Sequence, residues 1–319
     1  MTTLDQFRPN TTPRVAVCIA TYKRPEMLGQ TLRGLAALTF EKVVIPEITV
    51  FVVDNDPSET AEHVCREGQM AFPVKYVAEN RRGIAQARNR AIQEAGDADF
   101  VAFIDDDEIP TPTWLDELLA TQREFSADVV CGPVRPRFAH GVPEWIKAGR
   151  FFHRPVYVSG KNLDWCGTNN VLIRKGVFAA VKTFDERFAL TGGEDTQFFL
   201  RVRQAGYSIV ASSDACVEET VSISRANLGW VLRRAYQSGN SWALCESSLD
   251  RRVSTRIVRA MKACGWIVIG LASACISVFF GMAALARSLW KFCLGAGMLS
   301  ALVGQSYQAY QSSGAEVVQ

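Results

Sequence analysis

The nine residues FVAFIDDDE at positions 100–108 decide the fold of this chain. Five apolar residues in succession predict a strand buried on both faces of a sheet. The acids that follow would then lie at the carboxyl edge of the sheet, where open α/β folds bind ligands. Because side chains alternate along an extended chain, Asp105 and Asp107 are expected to point one way and Asp106 the other. Two converging carboxylates suit Mg²⁺ or Mn²⁺; the alternative is an acidic turn that caps a helix starting near Trp114.

Strands and helices alternate in the sequence before this stretch. Each short apolar run is followed by a polar turn and then by apolar residues at helical spacing. This pattern predicts a parallel, right-handed, doubly wound α/β sheet. Neither G-x-G-x-x-G nor a Walker A motif is present, so metal and basic side chains would have to bind phosphate. The predicted strands are 14–20, 48–53 and 74–77, and the predicted helices begin at Glu26, near Thr60 and at Ile84.

The second half of this domain carries a further acidic pair. We predict a helix over 114–125, a strand over 128–133, an irregular substrate-shaping loop over 135–164 and a strand entered from Cys166. Gly192 and Gly193 then precede Glu194 and Asp195, and a helix is expected over about 196–205. Asp195 would occupy the N-cap or the first turn of that helix. Capping is the simple interpretation, but paired glycines also permit close approach to a ligand.

The composition excludes several classes of protein. Of 319 residues, 48% are hydrophobic and 21% charged, which is a globular composition, and a net charge of +2 gives no reason to expect nucleic-acid binding. Nine cysteines without a C-x-x-C pair indicate reduced thiols rather than a zinc site or a disulfide framework. The polar first dozen residues do not form a signal peptide.

The C-terminal third of the chain predicts membrane association. No charged residue occurs from Ala263 to Ala286, which is long enough for a spanning helix, and a shorter apolar run covers 292–303. The alternative is a buried helical pair. By the positive-inside tendency, the basic residues before the apolar segment predict that the main domain lies in the cytoplasm. The predicted regions are a catalytic domain over 1–245, a basic juxtamembrane helix over 246–262, a membrane-associated region of one span or a hairpin over 263–307, and a polar tail over 308–319.

Six motifs make residues 14–239 resemble the inverting glycosyltransferases of family 2, which have the GT-A fold. Within the family, the chain resembles non-processive enzymes that build bacterial exopolysaccharide on a lipid carrier, such as the succinoglycan glucosyltransferases. The Q-x-x-R-W signature of processive synthases is absent. The motifs are VAVCIATYKRP at 15–25, VVDND at 52–56, NRRGIAQARN at 80–89, FIDDDE at 103–108, TNNVLIR at 168–174, and FDERF at 184–188 with GGEDTQF at 192–198.

The resemblance implies a set of residues that bind a nucleotide-sugar donor. Thr21, Tyr22 and Arg24 would line the pocket for the base and ribose, and Asp54 would accept a hydrogen bond from the base. Arg88 would face the nucleotide and its diphosphate.

The resemblance also implies a metal site and a general base. Asp105 and Asp107 correspond to the family's D-x-D and would hold Mg²⁺ or Mn²⁺, and Asp105 and Asp106 would contribute to binding the nucleotide-sugar. Asp195, or with less support Glu194, would be the general base. Where the family often has a late histidine near the diphosphate, this chain has Glu218 and Glu219, which leaves that contact open.

The residues themselves fit this chemistry. Breaking a sugar–phosphate bond leaves growing negative charge, which a metal held by Asp105 and Asp107 would neutralise. On the opposite face, a carboxylate such as Asp195 would remove the proton of the attacking hydroxyl. One direct displacement predicts inversion, so an α-linked donor would yield a β-glycoside. The expected donor is a UDP-sugar, and the expected acceptor is a lipid-linked or other glycan.

Two other functions remain open at this point. A sugar-nucleotidyltransferase would share the α/β plan and the acidic site, although the turn at 21–25 lacks the glycines that such enzymes need. A non-catalytic membrane protein that binds nucleotide-sugars would have no use for both Asp107 and Asp195.

Overall fold

A seven-stranded sheet forms the centre of the protein in a computed structural model that describes residues 12–67 and 71–308. The strands alternate with helices up to the fourth strand, as the sequence predicts. The elements of this first half are β1 (Arg14–Thr21), α1 (Pro25–Ala36), β2 (Glu47–Asp54), α2 (Glu62–Glu67), β3 (Val74–Ala78), α3 (Ile84–Glu94), β4 (Phe100–Ile104), β5 (Glu108–Pro110) and α4 (Trp114–Phe125).

The remaining elements add three strands to this sheet, two strands to a second sheet, and six helices. They are β6 (Val129–Cys131), β7 (Val134–Phe138), α5 (Glu144–Gly149), β8 (Asn170–Arg174), α6 (Lys175–Val181), α7 (Glu194–Gln204), β9 (Ile209–Ala211), β10 (Val217–Val221), α8 (Leu228–Leu249), α9 (Val253–Ser277) and α10 (Met282–Leu302).

The sheet is mostly parallel and doubly wound, which confirms the predicted fold class. Its strand order is β3-β2-β1-β4-β8-β6-β9, and only β8 runs antiparallel to its neighbours β4 and β6. All five residues of β4 are buried. Val101 and Phe103 pack in the core on one face, and Phe100, Ala102 and Ile104 pack in the core on the other. The carboxyl ends of β1, β2 and β4 therefore meet at one edge.

A second, three-stranded sheet corrects the prediction of an irregular segment over 135–164. Its order is β5-β10-β7, and it places β7 and the short helix α5 inside that segment. β7 is an edge strand that contains Pro136. Its side chains alternate in burial: Val134, Pro136 and Phe138 are buried or half-buried, and the two arginines between them are exposed. Proline is tolerated at an edge because the strand there has a free hydrogen-bonding side. Residues 150–164 do form a loop, apart from one isolated bridge at Asn162.

Three long helices follow the catalytic core and divide the chain differently from the predicted regions. The predicted boundary at 245/246 lies inside α8, and the basic segment is split by a break at 250–252 between α8 and α9. In the part of the chain that the structure describes, one helix is long and apolar enough to cross a membrane, Val253–Phe280, which is α9 with the 3-10 turn that continues it, and little of its apolar stretch is buried. The shorter apolar run lies in α10, which packs against both α8 and α9. Of the predicted polar tail, residues 309–319 lie outside the described residues.

Glycines allow α10 to approach its two neighbours closely. A β-carbon on Gly239 of α8 would lie 2.0 Å from the carbonyl oxygen of Leu294, and one on Gly297 would lie 2.0 Å from that of Tyr236. On the other side, Gly270 and Gly295 hold α9 and α10 together in the same way. These contacts fix the C-terminal helices to the catalytic domain through α8.

We expect Gly239→Ala to lower the free energy of unfolding by about 1–3 kcal/mol, because the added methyl group overpacks a backbone contact. Gly265→Ala in α9 is the matched control, since a β-carbon there has no neighbour within 4 Å. That control should be neutral or stabilising by up to about 1 kcal/mol, the helix propensity of alanine over glycine. Thermal unfolding in neutral detergent measures both. Equal effects of the two substitutions would contradict the close packing of α8 and α10.

Candidate active site

The three aspartates after β4 form a turn that arginines hold. Asp106 is buried and accepts hydrogen bonds from Thr21 Oγ1 (2.7 Å) and Arg24 Nη1 (3.5 Å). Asp107 Oδ2 lies 3.4 Å from Arg24 Nη1 and 3.6 Å from Arg225 Nη1. The expected alternation is therefore wrong: β4 ends at Ile104, the turn begins, and Asp106 and Asp107 share Arg24. Asp105 instead binds Arg88, with 3.1 Å between its Oδ1 and Arg88 Nη2.

The turn holds more negative charge than its arginines compensate. Burial raises the pKa of Asp106 to about 6, against the opposing charge of Arg24. Burial, together with the charges of Asp106 and Glu219, raises the pKa of Asp107 to about 7. Burial and the charge of Asp105 also raise the pKa of Glu108 well above its usual range. A cation bound among these groups would relieve their mutual repulsion.

These carboxylates fit a hard divalent cation. Mg²⁺ and Mn²⁺ prefer oxygen ligands and often take only one or two carboxylates from the protein, completing their shell with substrate phosphate. Among residues 12–67 and 71–308, no group of three or more acidic, histidine or cysteine side chains is arranged to hold a metal ion. Asp105, whose side chain is 39% exposed, and Asp107 beside it could supply two such ligands.

Arg88 joins the aspartate turn to the second acidic pair. This buried guanidinium of α3 pairs through Nη2 with Asp105 and through Nη1 with Glu194 at the start of α7. The two acidic motifs, 87 residues or more apart in sequence, thus lie on either side of one side chain. Asp105, nominated for the metal site, and Glu194, the second candidate for the base, thus share one guanidinium.

Glu194 and Asp195 have different surroundings, although they are adjacent. Glu194 is buried, its Oε2 has no hydrogen-bond partner among the described residues, and burial raises its pKa to about 7 although the Arg88 charge opposes the shift. Asp195 is half-buried in the first turn of α7, with Gly193 as N-cap. Asp195 Oδ1 accepts from the Thr196 amide (2.6 Å), and Oδ2 lies 3.6 Å from the place of a β-carbon on Gly167. The Asp195 carboxylate thus lies beside Gly167, where a β-carbon would come within 2.7 Å of Asn169 Oδ1.

The residues proposed to bind the donor base and ribose line the ends of β1 and β2. The half-buried ring of Tyr22 lies between cations, with Arg82 4.9 Å and Lys23 5.3 Å from its centroid. Asp54 is fully buried, and its carboxylate accepts from the amides of Asp56 and Ala61 and from the Tyr76 hydroxyl. In this structure Asp54 organises the loop after β2, and its contact with the base stays a prediction.

Glu219 stands beside Asp107, at the position where the resemblance leads one to expect a histidine. It binds Arg225 at 2.5 Å, and although burial acts in the opposite sense, Arg225 and Arg154 hold the pKa of Glu219 below its usual value. The guanidinium of Arg225 lies 5.0 Å from the ring of Trp230 and 5.6 Å from that of Phe152. Arg225 is thus held by aromatic faces next to the proposed metal ligands.

Sequence reasoning missed a buried pair that supports the turn. Glu108 accepts a hydrogen bond from Asn169 Nδ2 (2.8 Å), and Asn169 in turn accepts one from Arg154 Nη1 (2.8 Å). Asn169 belongs to the TNNVLIR motif, which was quoted without a role for that residue. The one sequence signal for this role of Asn169 was its position, with a second asparagine, at the start of a buried strand.

Comparisons with known proteins agree with this geometry. The profile of Glycosyl transferase family 2 matches residues 16–181, and that of Glycosyl transferase family group 2 matches residues 100–305. The chain is 34% identical to the succinoglycan biosynthesis protein ExoM of Rhizobium meliloti over 93% of this chain and 95% of that protein. It is 25% identical to a glucosyl-dolichyl phosphate glucuronosyltransferase of Haloferax volcanii, over 71% of this chain and 75% of that protein.

A solved structure shares the fold. It is S. aureus TarS 1–349 in complex with UDP-GlcNAc, which superposes with a TM-score of 0.52 at 17% identity and covers 92% of this chain and 93% of the other. With the doubly wound sheet, the acidic turn and these matches described, the chain belongs to the family 2 glycosyltransferases.

Proposed function

We propose that this protein is a metal-dependent, inverting glycosyltransferase that moves a sugar from a nucleotide-sugar, a UDP-sugar, to a lipid-linked glycan in bacterial polysaccharide biosynthesis. One observation carries the proposal: Arg88 contacts both Asp105 of the aspartate turn and Glu194 of the acidic pair. Arg88 thereby joins a candidate metal ligand to the acid that directly precedes Asp195, which supports one shared site for the leaving diphosphate and the attacking hydroxyl.

On the leaving-group side, Asp105 and Asp107 would hold Mg²⁺ or Mn²⁺, which when bound supplies positive charge to the departing diphosphate. Arg24 and Arg225, both within 3.6 Å of Asp107, are placed to bind diphosphate oxygens. The Nε of Arg225 is buried without a hydrogen-bond partner among the described residues, so this side chain retains a donor.

On the acceptor side, Asp195 is the better candidate for the general base. It is the more accessible of the two acids, since Asp195 is half-buried where Glu194 is buried, and its Oδ2 lies beside Gly167. Glu194 is buried against Arg88 and positions that guanidinium instead. Asp195 would take the proton of the attacking hydroxyl. Because that hydroxyl attacks the anomeric carbon directly, the configuration is inverted.

Relatives and the C-terminal helices support the donor and the acceptor. TarS was crystallised with UDP-GlcNAc, ExoM is named for succinoglycan biosynthesis, and the Haloferax enzyme is named for a dolichyl phosphate-linked glucose. Helix α9 exposes apolar side chains along its length, among them Met261, Val268 and Ile276. The basic residues before and inside its first turns favour the cytoplasmic face of the inner membrane for the catalytic domain.

A donor screen with the full chain in neutral detergent tests the proposal. UDP-, GDP- and TDP-sugars are incubated with Mn²⁺ or Mg²⁺, and the release of nucleoside diphosphate is measured. We expect metal-dependent release of UDP from one or a few UDP-sugars. Formation of a nucleotide-sugar from a sugar phosphate and nucleoside triphosphate, with release of pyrophosphate, would instead identify a nucleotidyltransferase. Binding without any turnover would identify a non-catalytic protein.

A further inference from the structure

A cavity of about 420 Å³ lies where α7, α8 and α9 meet. Leu200 and Gln204 line it from the catalytic domain, and Val258, Arg259 and Lys262 line it from α9. These α9 residues belong to the first turns of the segment that is apolar enough to span a membrane. The cavity therefore lies at the level where the polar head groups of a bilayer would meet the protein.

A buried arginine in the lining retains a hydrogen-bond donor. Arg259 is 9% exposed and pairs through Nη2 with Glu246 of α8, but its Nε has no hydrogen-bond partner among the described residues. A buried donor without a partner costs free energy until an acceptor reaches it. Lys262 adds a second positive charge to the lining.

The two acids in the lining already have partners. Glu246 accepts from Trp242 Nε1 (2.8 Å) in addition to its pair with Arg259. Asp250 pairs with Arg252 at 2.6 Å and accepts from Thr255 Oγ1 at 2.8 Å. Arg259 Nε, by contrast, has no partner among the described residues, and a phosphate oxygen is an acceptor suited to it.

The cavity is connected to the proposed base through aromatic side chains. Trp242, bound to Glu246, packs edge-to-face on Trp165 with ring centroids 5.6 Å apart. Trp165 is 36% exposed and lies two residues before Gly167, which borders Asp195 Oδ2. Along α7, Asp195 precedes the two cavity residues by about 8 to 14 Å of helix rise. A lipid-linked sugar anchored at the cavity would lead along the tryptophans toward Asp195.

We propose that this cavity binds the phosphate head group of a membrane lipid. The identity of this lipid rests on the proposed function: the lipid that carries the acceptor is the occupant that would place a sugar near Asp195. Bulk anionic phospholipid offers the same chemistry, and the experiment separates the two sources.

The test measures binding of farnesyl diphosphate to the full chain in neutral detergent, after UDP and Mn²⁺ have been added to saturate the donor site. Farnesol, which lacks the phosphates, and inorganic pyrophosphate, which lacks the lipid, are the comparison ligands. We expect farnesyl diphosphate to bind at least about tenfold more tightly than either, because charged hydrogen bonds and apolar burial act together.

Two substitutions locate the site. Val258→Phe fills the cavity, and Ile257→Phe is its matched control, one residue away, 55% exposed and outside the lining. We expect Val258→Phe and Arg259→Gln each to weaken farnesyl diphosphate about tenfold or more, and Ile257→Phe to leave it unchanged. The affinity of each variant for UDP reports whether its catalytic domain is folded. If Arg259→Gln does not fold, the result for Val258→Phe alone tests the site.

The outcomes separate the two claims. Equal binding by Val258→Phe and Ile257→Phe, or equal affinity for farnesol and farnesyl diphosphate, overturns the lipid-phosphate site. If phosphatidylglycerol vesicles displace bound farnesyl diphosphate and phosphatidylcholine vesicles do not, the site exists and its occupant is bulk anionic phospholipid. If neither kind of vesicle displaces farnesyl diphosphate, the occupant is the lipid that carries the acceptor. Absence of donor turnover in the unsubstituted protein counts against the proposed function and leaves the binding result intact.

Discussion

Asp195→Asn is expected to lower the rate of sugar transfer by at least about a hundredfold, because the amide cannot take the proton of the attacking hydroxyl. The affinity for the UDP-sugar should stay within about twofold, since the substitution removes an interaction needed in the transition state rather than in donor binding. Asparagine is nearly isosteric with aspartate, and the Asp195 carboxylate is only half-buried beside Gly167. A change in the fold would therefore be a poor explanation for such a loss. Calorimetry with UDP-sugar and a transfer assay measure the two quantities separately.

Asp164→Asn is the control for that experiment. Asp164 lies in the loop before Trp165, and its side chain is fully exposed. It lies 3.7 Å from Arg203, a weak, solvent-exposed ion pair. Its substitution should change neither binding nor transfer. Unchanged turnover in Asp195→Asn would remove Asp195 from the role of base, and Glu194→Gln would then be the next variant to examine.

Asp107→Ala is expected to lower donor turnover by about a thousandfold, since metal stabilisation of a leaving group contributes several kcal/mol. In the unsubstituted protein, EDTA should produce a loss of similar size that Mn²⁺ reverses. In Asp107→Ala, EDTA should have little further effect, because the two changes remove the same interaction. The measurement is UDP release as a function of Mn²⁺ concentration.

Asp214→Ala is a suitable comparison for Asp107→Ala. Asp214 is exposed and hydrogen-bonds to the neighbouring Ser213 hydroxyl. Its substitution should leave the dependence on Mn²⁺ unchanged. If Asp107→Ala retained the full response to Mn²⁺, the metal would have to bind elsewhere, and the surplus of negative charge around Asp107 would need another explanation.

The fold of the first half of the chain could be predicted because its signals are local. The five buried residues of β4 and the alternation of apolar runs with helical patterns specify a doubly wound sheet without knowledge of distant contacts. The first turn of α7 was also predictable, since Gly193 takes a positive φ of 91° at the N-cap and the acids follow directly.

The rest depends on contacts between distant segments. The second sheet pairs β10 with β5 and β7, which come from separate parts of the sequence, and the single-sequence pattern of β7 is obscured by Pro136 and its exposed arginines. The orientation of Asp105, Asp106 and Asp107 could not be derived from strand alternation because the strand ends before them. Arg24, Arg88 and Arg225 decide it instead, each contributed by a different part of the chain.

The C-terminal helices illustrate the same limit. Composition identified the apolar segment of α9, but it could not tell that α10 packs along α8 through Gly239 and Gly297. Close contacts of this kind depend on which helix faces which, and a sequence without its partners in space does not contain that information.

The configuration of the newly formed glycosidic bond tests the central claim most directly. It is read by proton NMR of the product formed from an α-linked UDP-sugar. A single displacement, with Asp195 as the base and the diphosphate leaving beside Asp107, predicts a β-linked product. An α-linked product would contradict the account, because attack from the Asp195 side against a diphosphate leaving on the Asp107 side cannot retain the configuration.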